Sequence, residues 1–138
     1  MKTIFVSGPI TGVYNYIDNF NKVCARLEDR YNSVSVINPV DFTKTVLEYN
    51  KQPTWYDYMN HSITTMMKVE PDELVVLDGW EKSKGSQAEV YIARNVLDIP
   101  VFKYCEVKAS CMWTLEPVEC EFILTSGVYR INEESYIN

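Results

Sequence analysis

The chain has 138 residues, of which 46% are hydrophobic and 23% are charged, and its formal net charge is −6. This length is enough for one compact domain with its own core and is short for two. An acidic chain without a cluster of Lys and Arg lacks the positive surface that binds duplex nucleic acid. No apolar run reaches the length of a membrane span or of a secretory signal. We therefore expect a cytoplasmic protein that binds neither duplex nucleic acid nor a membrane.

The cysteines and the single histidine, His61, give no sign of a metal site. Cys24, Cys105, Cys111 and Cys120 include no C-x-x-C pair, whereas structural zinc sites contain closely spaced ligand pairs. Reduced, buried thiols are the norm in a cytosolic protein. We expect no metal and no other cofactor.

Strands and helices alternate from the start of the chain. A buried strand is predicted over Thr3 to Ser7, and apolar residues between Phe20 and Tyr31 recur at the spacing of a helix. Ser33 to Ile37 is predicted as a second strand, and residues 40–53 as loop with a little helix. A second helix is predicted over Trp55 to Lys68.

The elements that follow continue this alternation and then depart from it. Glu73 to Asp78 is predicted as the third strand, Gln87 to Leu97 as the third helix and Ile99 to Tyr104 as the fourth strand. Beyond them, Ala109 to Leu115 is predicted to be extended, and Ser126-Gly127 indicates a hairpin between two further strands.

The predicted fold class is α/β in a single domain over residues 1–138. Alternating strands and helices form a parallel sheet with right-handed crossovers. We therefore predict a Rossmann-like (flavodoxin-like) parallel sheet flanked by helices over residues 1–104. Residues 105–138 are predicted to form an antiparallel, β-rich appendage to the sheet or an oligomer contact.

Two acidic residues stand close to the predicted end of the third strand. Ligands of open α/β sheets bind beyond the carboxyl ends of the strands, and Asp78 ends such a strand. Asp78 and Glu89 are therefore expected to face one cleft, where two carboxyl groups in different environments perform acid–base or nucleophilic chemistry. Trp80, beside Asp78, either stacks on a flat ring of the ligand or covers the edge of the sheet.

Glu89 and Asp57 also have a purely structural interpretation. Ser86-Gln87-Ala88-Glu89 and Thr54-Trp55-Tyr56-Asp57 both fit the capping box, in which an acid three residues after the helix cap bonds back to the amide of the cap. In that interpretation each acid stabilises the start of a helix and takes no part in a binding site.

A glycine-containing loop follows the first strand. Ser7-Gly8-Pro9-Ile10-Thr11-Gly12 would allow backbone amides to approach a phosphate or a ribose closely. Its glycine spacing is neither that of a dinucleotide-binding loop nor that of a Walker loop. An ordinary turn is the alternative interpretation.

Together these segments resemble the nucleoside 2-deoxyribosyltransferase superfamily, including its 2′-deoxynucleoside 5′-phosphate N-hydrolase branch. The resemblance rests on four segments and covers about residues 1–104. Those segments are Ile4 to Gly12, Asn38-Pro39, the helix that carries Asp57, and Asp78 to Ala93.

The resemblance implies roles for several side chains. Glu89 is the position of the nucleophile, which attacks the anomeric carbon of a (deoxy)ribose and gives a glycosyl-enzyme that water or a second base resolves. Asp57 corresponds to the acid near the leaving base. Ser83, six residues before Glu89, stands where the hydrolases have a Ser that contacts the 5′-phosphate and the transferases have Asp. A nucleoside monophosphate is therefore expected, with its phosphate near Ser83, Gly85 and the glycine-containing loop.

The chain departs from the family pattern at two positions. Phe5 stands where characterised members have a Tyr that orients the nucleophile, and Thr11 stands where the hydrolases tend to have an Arg. Tyr14 or Tyr16 is a possible substitute source of a hydroxyl group. These departures keep open a second kind of function, which is nucleotide binding without turnover.

From the sequence we therefore expect an N-glycosidase that cleaves the base–sugar bond of a (deoxy)nucleoside 5′-monophosphate through a covalent glycosyl-Glu89 intermediate. A nucleoside deoxyribosyltransferase and a non-catalytic nucleotide-binding or sequestering protein are the alternatives. The resemblance also implies a homo-oligomer, a dimer or larger, because family members complete their sites across an interface. The expected catalytic residues are Glu89, Asp57 and Asp78, and the expected substrate-binding residues are Ser7, Gly8, Ile10, Thr11, Gly12, Trp80, Ser83, Gly85 and Ser86.

Overall fold

A computed structural model describes residues 1–118 of the chain. The hairpin predicted around Ser126-Gly127 and the thiol of Cys120 lie outside the described residues. The strands are β1 (Lys2–Ser7), β2 (Val34–Ile37), β3 (Glu73–Val76), β4 (Val101–Glu106) and β5 (Trp113–Pro117), and the helices are α1 (Tyr16–Arg30), α2 (Phe42–Tyr49), α3 (Trp55–Val69) and α4 (Lys84–Asn95).

The five strands form one sheet in the order β2-β1-β3-β4-β5. The first four strands are parallel, and β5 pairs antiparallel with β4. This arrangement confirms the predicted α/β fold, with an antiparallel strand after the parallel sheet. The chain reverses its direction of strand addition between β1 and β3, and the carboxyl ends at such a switch point are where open α/β sheets bind ligands.

Both faces of the sheet are covered, which explains why its central strands are continuously apolar. On one face, Ile4 and Val6 of β1 pack against Phe20 and Leu27 of α1. On the other face, Phe5, Leu74 and Val76 pack with Met66 of α3 and Val90 of α4. The Glu89 side chain lies on this second face, between the sheet and the helices α3 and α4.

The structure differs from the sequence prediction at the helices α2 and α4. A 3-10 turn, Pro39–Asp41, leads directly into the eight-residue helix α2, so the stretch predicted over residues 40–53 as loop with a little helix is more regular than predicted. Helix α4 begins at Lys84, three residues before the predicted start, because Ser83 caps it. Ser83 Oγ accepts a hydrogen bond from the Ser86 N–H at 3.2 Å, which satisfies one of the free amides at the start of the helix.

Candidate functional site

A cavity of about 380 Å³ lies beyond the carboxyl end of β1, on the side of the sheet covered by α3 and α4. Its walls come from the loop after β1, from α2 and α3, and from the first two turns of α4. This volume lies in the range of small-molecule sites. The sequence-predicted residues that line this cavity, called the Glu89 cavity from here on, are Glu89, Ser7, Gly8, Ile10, Thr11, Ser83, Gly85 and Ser86.

The Glu89 carboxyl group is buried in this cavity and is held on both of its oxygen atoms. Oε1 accepts a hydrogen bond from Ser7 Oγ, and Oε2 accepts one from Ser62 Oγ. Ser7 Oγ lies 2.9 Å from Ser86 Oγ. A serine has one hydroxyl proton, and that of Ser7 goes to Glu89, so Ser86 donates its own proton to Ser7.

Burial dominates the electrostatics of Glu89. Removal from water raises the pKa of its carboxyl group, and the hydrogen bonds from Ser62 and Ser7 lower that pKa and so offset part of the effect. Among residues 1–118, no Lys, Arg or His lines the cavity. A perturbed carboxyl group in a cavity is a candidate functional group.

The capping-box interpretation of Glu89 is wrong. Ser83, rather than Ser86, is the cap of α4, so Glu89 is the sixth residue of the helix. Its carboxyl group contacts Ser7 and Ser62, which come from β1 and α3. Glu89 is therefore free of the capping role that competed with a functional one.

Glycines allow the walls of the Glu89 cavity to approach one another. A Cβ atom added at Gly85 would lie 2.9 Å from Met59 Sδ, so a larger residue there would require the Met59 side chain to move. Gly12 is not among the lining residues. It has a φ of 80°, which supports the turn interpretation of this glycine.

Asp57 forms a capping box, and the structure does not bring it into the Glu89 cavity. Asp57 Oδ2 accepts hydrogen bonds from the Thr54 N–H and from Asn50 Nδ2, each at 2.8 Å. The Thr54 hydroxyl in turn accepts from the Asp57 N–H. The capping-box interpretation is thus confirmed for Asp57, and the side chain is not among those that line the cavity.

Asp78 faces a different cleft, so the prediction that Asp78 and Glu89 share one cleft is wrong. The Asp78 side chain is 94% exposed and pairs with Lys103 Nζ at 3.2 Å. Leu77 is the last residue hydrogen-bonded to β1, and the chain turns at Gly79, which has a φ of 86°. If the strand had continued, its alternation would have directed Asp78 toward Glu89, but the strand ends before Asp78. Asp78 lines a cleft of about 520 Å³ with residues of α1 and β4, called the Asp78 cleft from here on.

Trp80 is a core residue. Its side chain is 5% exposed and packs with Phe5, Met66 and Val90 on the α3–α4 face of the sheet. It does not line the Glu89 cavity. Of the two interpretations, the structure supports the one in which Trp80 covers the sheet.

One family comparison gives a match. The family described as Domain of unknown function (DUF4406) matches residues 2–102. The chain belongs to this family. The matched region includes Ser7, Ser62 and Glu89. No curated protein and no solved structure matches the chain.

Two kinds of feature are absent from the described part of this DUF4406 member. No helix in residues 1–118 is long and apolar enough to cross a membrane. The same residues contain no group of three or more His, Cys, Asp or Glu side chains placed to hold a metal ion.

Several residues of the site in this DUF4406 member were not found from the sequence. Ser62 lies in the middle of α3 and is 5% exposed, and a single serine on a helix gives no charge or spacing signal. Of the two tyrosines that the sequence offered as a source of a hydroxyl group, Tyr16 lines the cavity and Tyr14 is 98% exposed. The other aromatic side chains on the cavity wall are those of Phe42, Trp55 and Tyr58.

Proposed function

We propose that this protein cleaves the N-glycosidic bond of a (deoxy)nucleoside 5′-monophosphate with Glu89 as the nucleophile. The observation that carries the proposal is the Glu89 carboxyl group, which is buried in a cavity of ligand size and held by a hydroxyl group on each oxygen atom. A carboxylate that is fixed in this way can be presented to a bound sugar in one orientation, which is a large part of what an enzyme contributes to such a reaction.

The proposed reaction has two displacements. A Glu89 oxygen bonds to the anomeric carbon, and the base leaves with the electron pair of the carbon–nitrogen bond and takes up a proton. Water then attacks the same carbon and gives up one proton to the group that protonated the base or to solvent. The bond to Glu89 breaks, which regenerates the carboxylate and releases a sugar phosphate. Asp57 does not line the cavity, and the titratable groups that line it with Glu89 are the phenols of Tyr16 and Tyr58. We therefore assign protonation of the base to one of these phenols or to solvent.

The cavity wall suits the parts of a nucleotide. Phe42, Trp55 and Tyr58 offer aromatic surface to a flat base. For the phosphate, the start of α4 offers backbone amides together with Ser83 and Gly85, as helix N-termini do for anions. No side-chain cation lines the cavity among residues 1–118, so backbone amides and hydroxyl groups would carry the binding of the phosphate.

Self-association is part of the proposal. Ile10 and Trp55 line the cavity and are 40% and 46% exposed. Exposed apolar side chains at the mouth of a site favour a contact with another surface. We expect sedimentation analysis to find a dimer or a larger homo-oligomer, and a monomer at all concentrations would contradict this part of the proposal.

The main experiment measures release of free base from a panel of ribo- and deoxyribonucleoside monophosphates by chromatography. We expect Glu89→Gln to lower the rate by at least about 10³-fold, as loss of a nucleophile does. Glu28→Gln is the matched control, because Glu28 is exposed on α1 and makes the same chemical change far from the cavity. Base release that is equal in Glu89→Gln and the wild type would overturn the proposed mechanism.

A second experiment traps the intermediate. A nucleotide with fluorine at the 2-position of its sugar slows both displacements, and a good leaving base keeps the first of them fast enough to accumulate the glycosyl-enzyme. Mass spectrometry should then find the sugar phosphate on a peptide that contains Glu89. Adding a second base separates transfer from hydrolysis, because a transferase would form a new nucleotide from the same intermediate.

Binding without turnover is the second candidate function. It is favoured by the absence of Asp57 and Asp78 from the Glu89 cavity, which leaves Glu89 as the one carboxyl group on its wall among residues 1–118. Calorimetry would detect this function as tight nucleotide binding that Glu89→Gln retains, without release of base by the wild type.

A further inference from the structure

The buried serine and carboxyl side chains of residues 1–118 all belong to one cluster. They are Glu89 and the three serines that surround it, and each is less than 8% exposed. The serines come from three separate elements, since Ser7 is in β1, Ser62 in α3 and Ser86 in α4. Burying a polar group costs free energy unless it is hydrogen-bonded, so this convergence needs an explanation beyond packing.

The protons of the cluster have one consistent arrangement when Glu89 is ionised. Ser62 donates to Oε2, Ser7 donates to Oε1, and Ser86 donates to Ser7. A protonated Glu89 would have to donate its own proton, and one of the two serines would have to become an acceptor. With both serines as donors, these contacts suit the carboxylate form, which is the form that the proposed nucleophile requires.

Neutral groups alone hold the carboxylate. The titratable groups that face it across the cavity are the phenols of Tyr16 and Tyr58, and no Lys, Arg or His of residues 1–118 lines that cavity. His61, next to Ser62 in the chain, packs its ring against Phe42 with 4.9 Å between ring centroids. The orientation of Glu89 thus depends on hydroxyl hydrogen bonds and not on an ion pair.

Ser7 supplies the hydroxyl group that comes from β1. Phe5, on the same strand, is fully buried in the core and has no polar group to offer to the cavity. Ser7 follows two residues later and therefore points to the same side of the strand. It reaches Glu89 from the end of β1, while Ser62 reaches the same carboxyl group from the opposite wall.

We propose that Ser7 and Ser62 form a hydroxyl clamp that positions the Glu89 carboxylate for attack, with Ser86 holding Ser7 in place. Both serines are positioning residues, since they act through Glu89. The proposal rests on the proposed function of Glu89. It adds two side chains whose part in the reaction is to fix the direction of the nucleophile and to keep it ionised.

The kinetic test uses Ser62→Ala and Ser7→Ala. Each is expected to lower kcat by about 10²-fold with little change in KM, because a misplaced reactive group has an effect of this size. Loss of a hydroxyl that lowers the Glu89 pKa is also expected to move the acidic limb of the pH profile of kcat/KM to higher pH. Ser33→Ala is the matched control, because Ser33 is exposed and is not part of the Glu89 cavity.

A direct titration tests the clamp without any turnover. The protein is labelled with ¹³C at the glutamate carboxyl carbons, and the Glu89 signal is identified by its loss in Glu89→Gln. We expect a higher pKa for Glu89 in Ser62→Ala and in Ser7→Ala than in the wild type and in Ser33→Ala. Ser62→Thr, which keeps the hydroxyl group, is expected to return the pKa toward the wild-type value.

The outcomes separate the two proposals. An unchanged Glu89 pKa in both alanine variants would overturn the clamp, as would a Ser62→Thr variant that is folded and titrates like Ser62→Ala. A wild-type protein that releases base from no nucleotide overturns the proposed function, and the titration still reports on the clamp. Circular dichroism establishes that each variant is folded, and the two alanine variants test opposite walls of the cavity independently.

Discussion

The two sides of the sheet differ in the surroundings of the acidic side chain that lies near the carboxyl ends of β1 and β3. In the Asp78 cleft, Asp78 pairs with Lys103, and Glu106 pairs with Lys22 at 2.5 Å, all at the surface. In the Glu89 cavity, one carboxyl group is buried among neutral hydroxyl groups. Exposed pairs are screened by water and salt, whereas the protonation of a buried acid is set by its burial and its hydrogen bonds.

This difference is the reason why we propose a chemical role for Glu89 and not for Asp78. Both acids lie near the switch point of the sheet, where the topology places ligand sites. Because each side of the sheet has an acidic side chain near the switch point, the presence of an acid does not by itself distinguish the two sides. Glu89 is distinguished by its burial without a cation nearby. Such burial costs stability, and this cost supports the proposal that Glu89 has a function.

The largest effect on stability is expected where the two sides meet. Gly8 lines the Glu89 cavity, and a Cβ atom added there would lie 2.9 Å from the Cβ atom of Leu77, which lines the Asp78 cleft. Leu77 Cβ cannot rotate away, so Gly8→Ala should lower the free energy of unfolding by about 1–3 kcal/mol in urea denaturation.

Gly12→Ala serves as the comparison for this substitution. A Cβ atom at Gly12 meets nothing within 4 Å, and only its φ of 80° opposes the change. The cost of that left-handed conformation is about 1–2 kcal/mol, and Gly12 is not among the residues that line the Glu89 cavity. If Gly8→Ala leaves stability unchanged, the contact between Gly8 and Leu77 is not rigid, and the Glu89 cavity and the Asp78 cleft are not separated by a fixed wall.

A smaller effect, with a defined pH dependence, is expected from the buried acid itself. Because burial raises the Glu89 pKa above its ordinary value of 4.5, the folded protein binds more protons than the unfolded chain above that value. Stability therefore falls as pH rises from about 4.5 through the raised pKa and then levels off. Glu89→Gln has no carboxyl group that titrates at this position. The difference in Tm between Glu89→Gln and the wild type should therefore increase in favour of the variant, by a few degrees, as pH rises from about 4.5 through the raised pKa.

The control for this titration is again Glu28→Gln, which alters an exposed carboxyl group. Its Tm should follow that of the wild type at every pH. A Tm difference between Glu89→Gln and the wild type that does not vary with pH would mean that the Glu89 carboxyl group is not destabilised by its burial, and the contrast between the two sides would be lost.

The smallest effect is expected in the Asp78 cleft. Asp78 is 94% exposed, and surface ion pairs contribute at most about 1 kcal/mol. Asp78→Asn should therefore change the free energy of unfolding by less than about 1 kcal/mol, and the change should shrink further at high salt. Chemical denaturation at two salt concentrations measures both. A large, salt-independent loss would show that Asp78 is as deeply coupled to the fold as Glu89.

Most of the fold was predictable because its physical signals are local. β1 and β3 are apolar runs buried on both faces, and α1 places Phe20, Val23 and Leu27 on one face. Helix α2 was not predicted as such, since its eight residues bury only Phe42 and Val46 and so give a short and weak periodic pattern. Its position depends on packing against α3, which no local pattern encodes.

The site was only partly predictable for a different reason. Glu89 and the loop after β1 were identified from the residues and from a family resemblance. The side of the sheet that Asp78 faces depends on the turn at Gly79, and alternation along a strand does not extend through such a turn. Ser62 reaches Glu89 from 27 positions away, so its place in the cluster exists only once α3 and α4 have packed together.

The placement of the three tryptophans has a practical consequence. Trp80 is buried in the core, and Trp113 lies under the guanidinium group of Arg30 at 3.6 Å. Trp55 alone lines the Glu89 cavity, and it is 46% exposed. A molecule that enters the cavity is expected to change the surroundings of this indole directly, because it is the one that lines the wall. The intrinsic fluorescence of the protein therefore contains a reporter of occupancy at its candidate site that needs no added label.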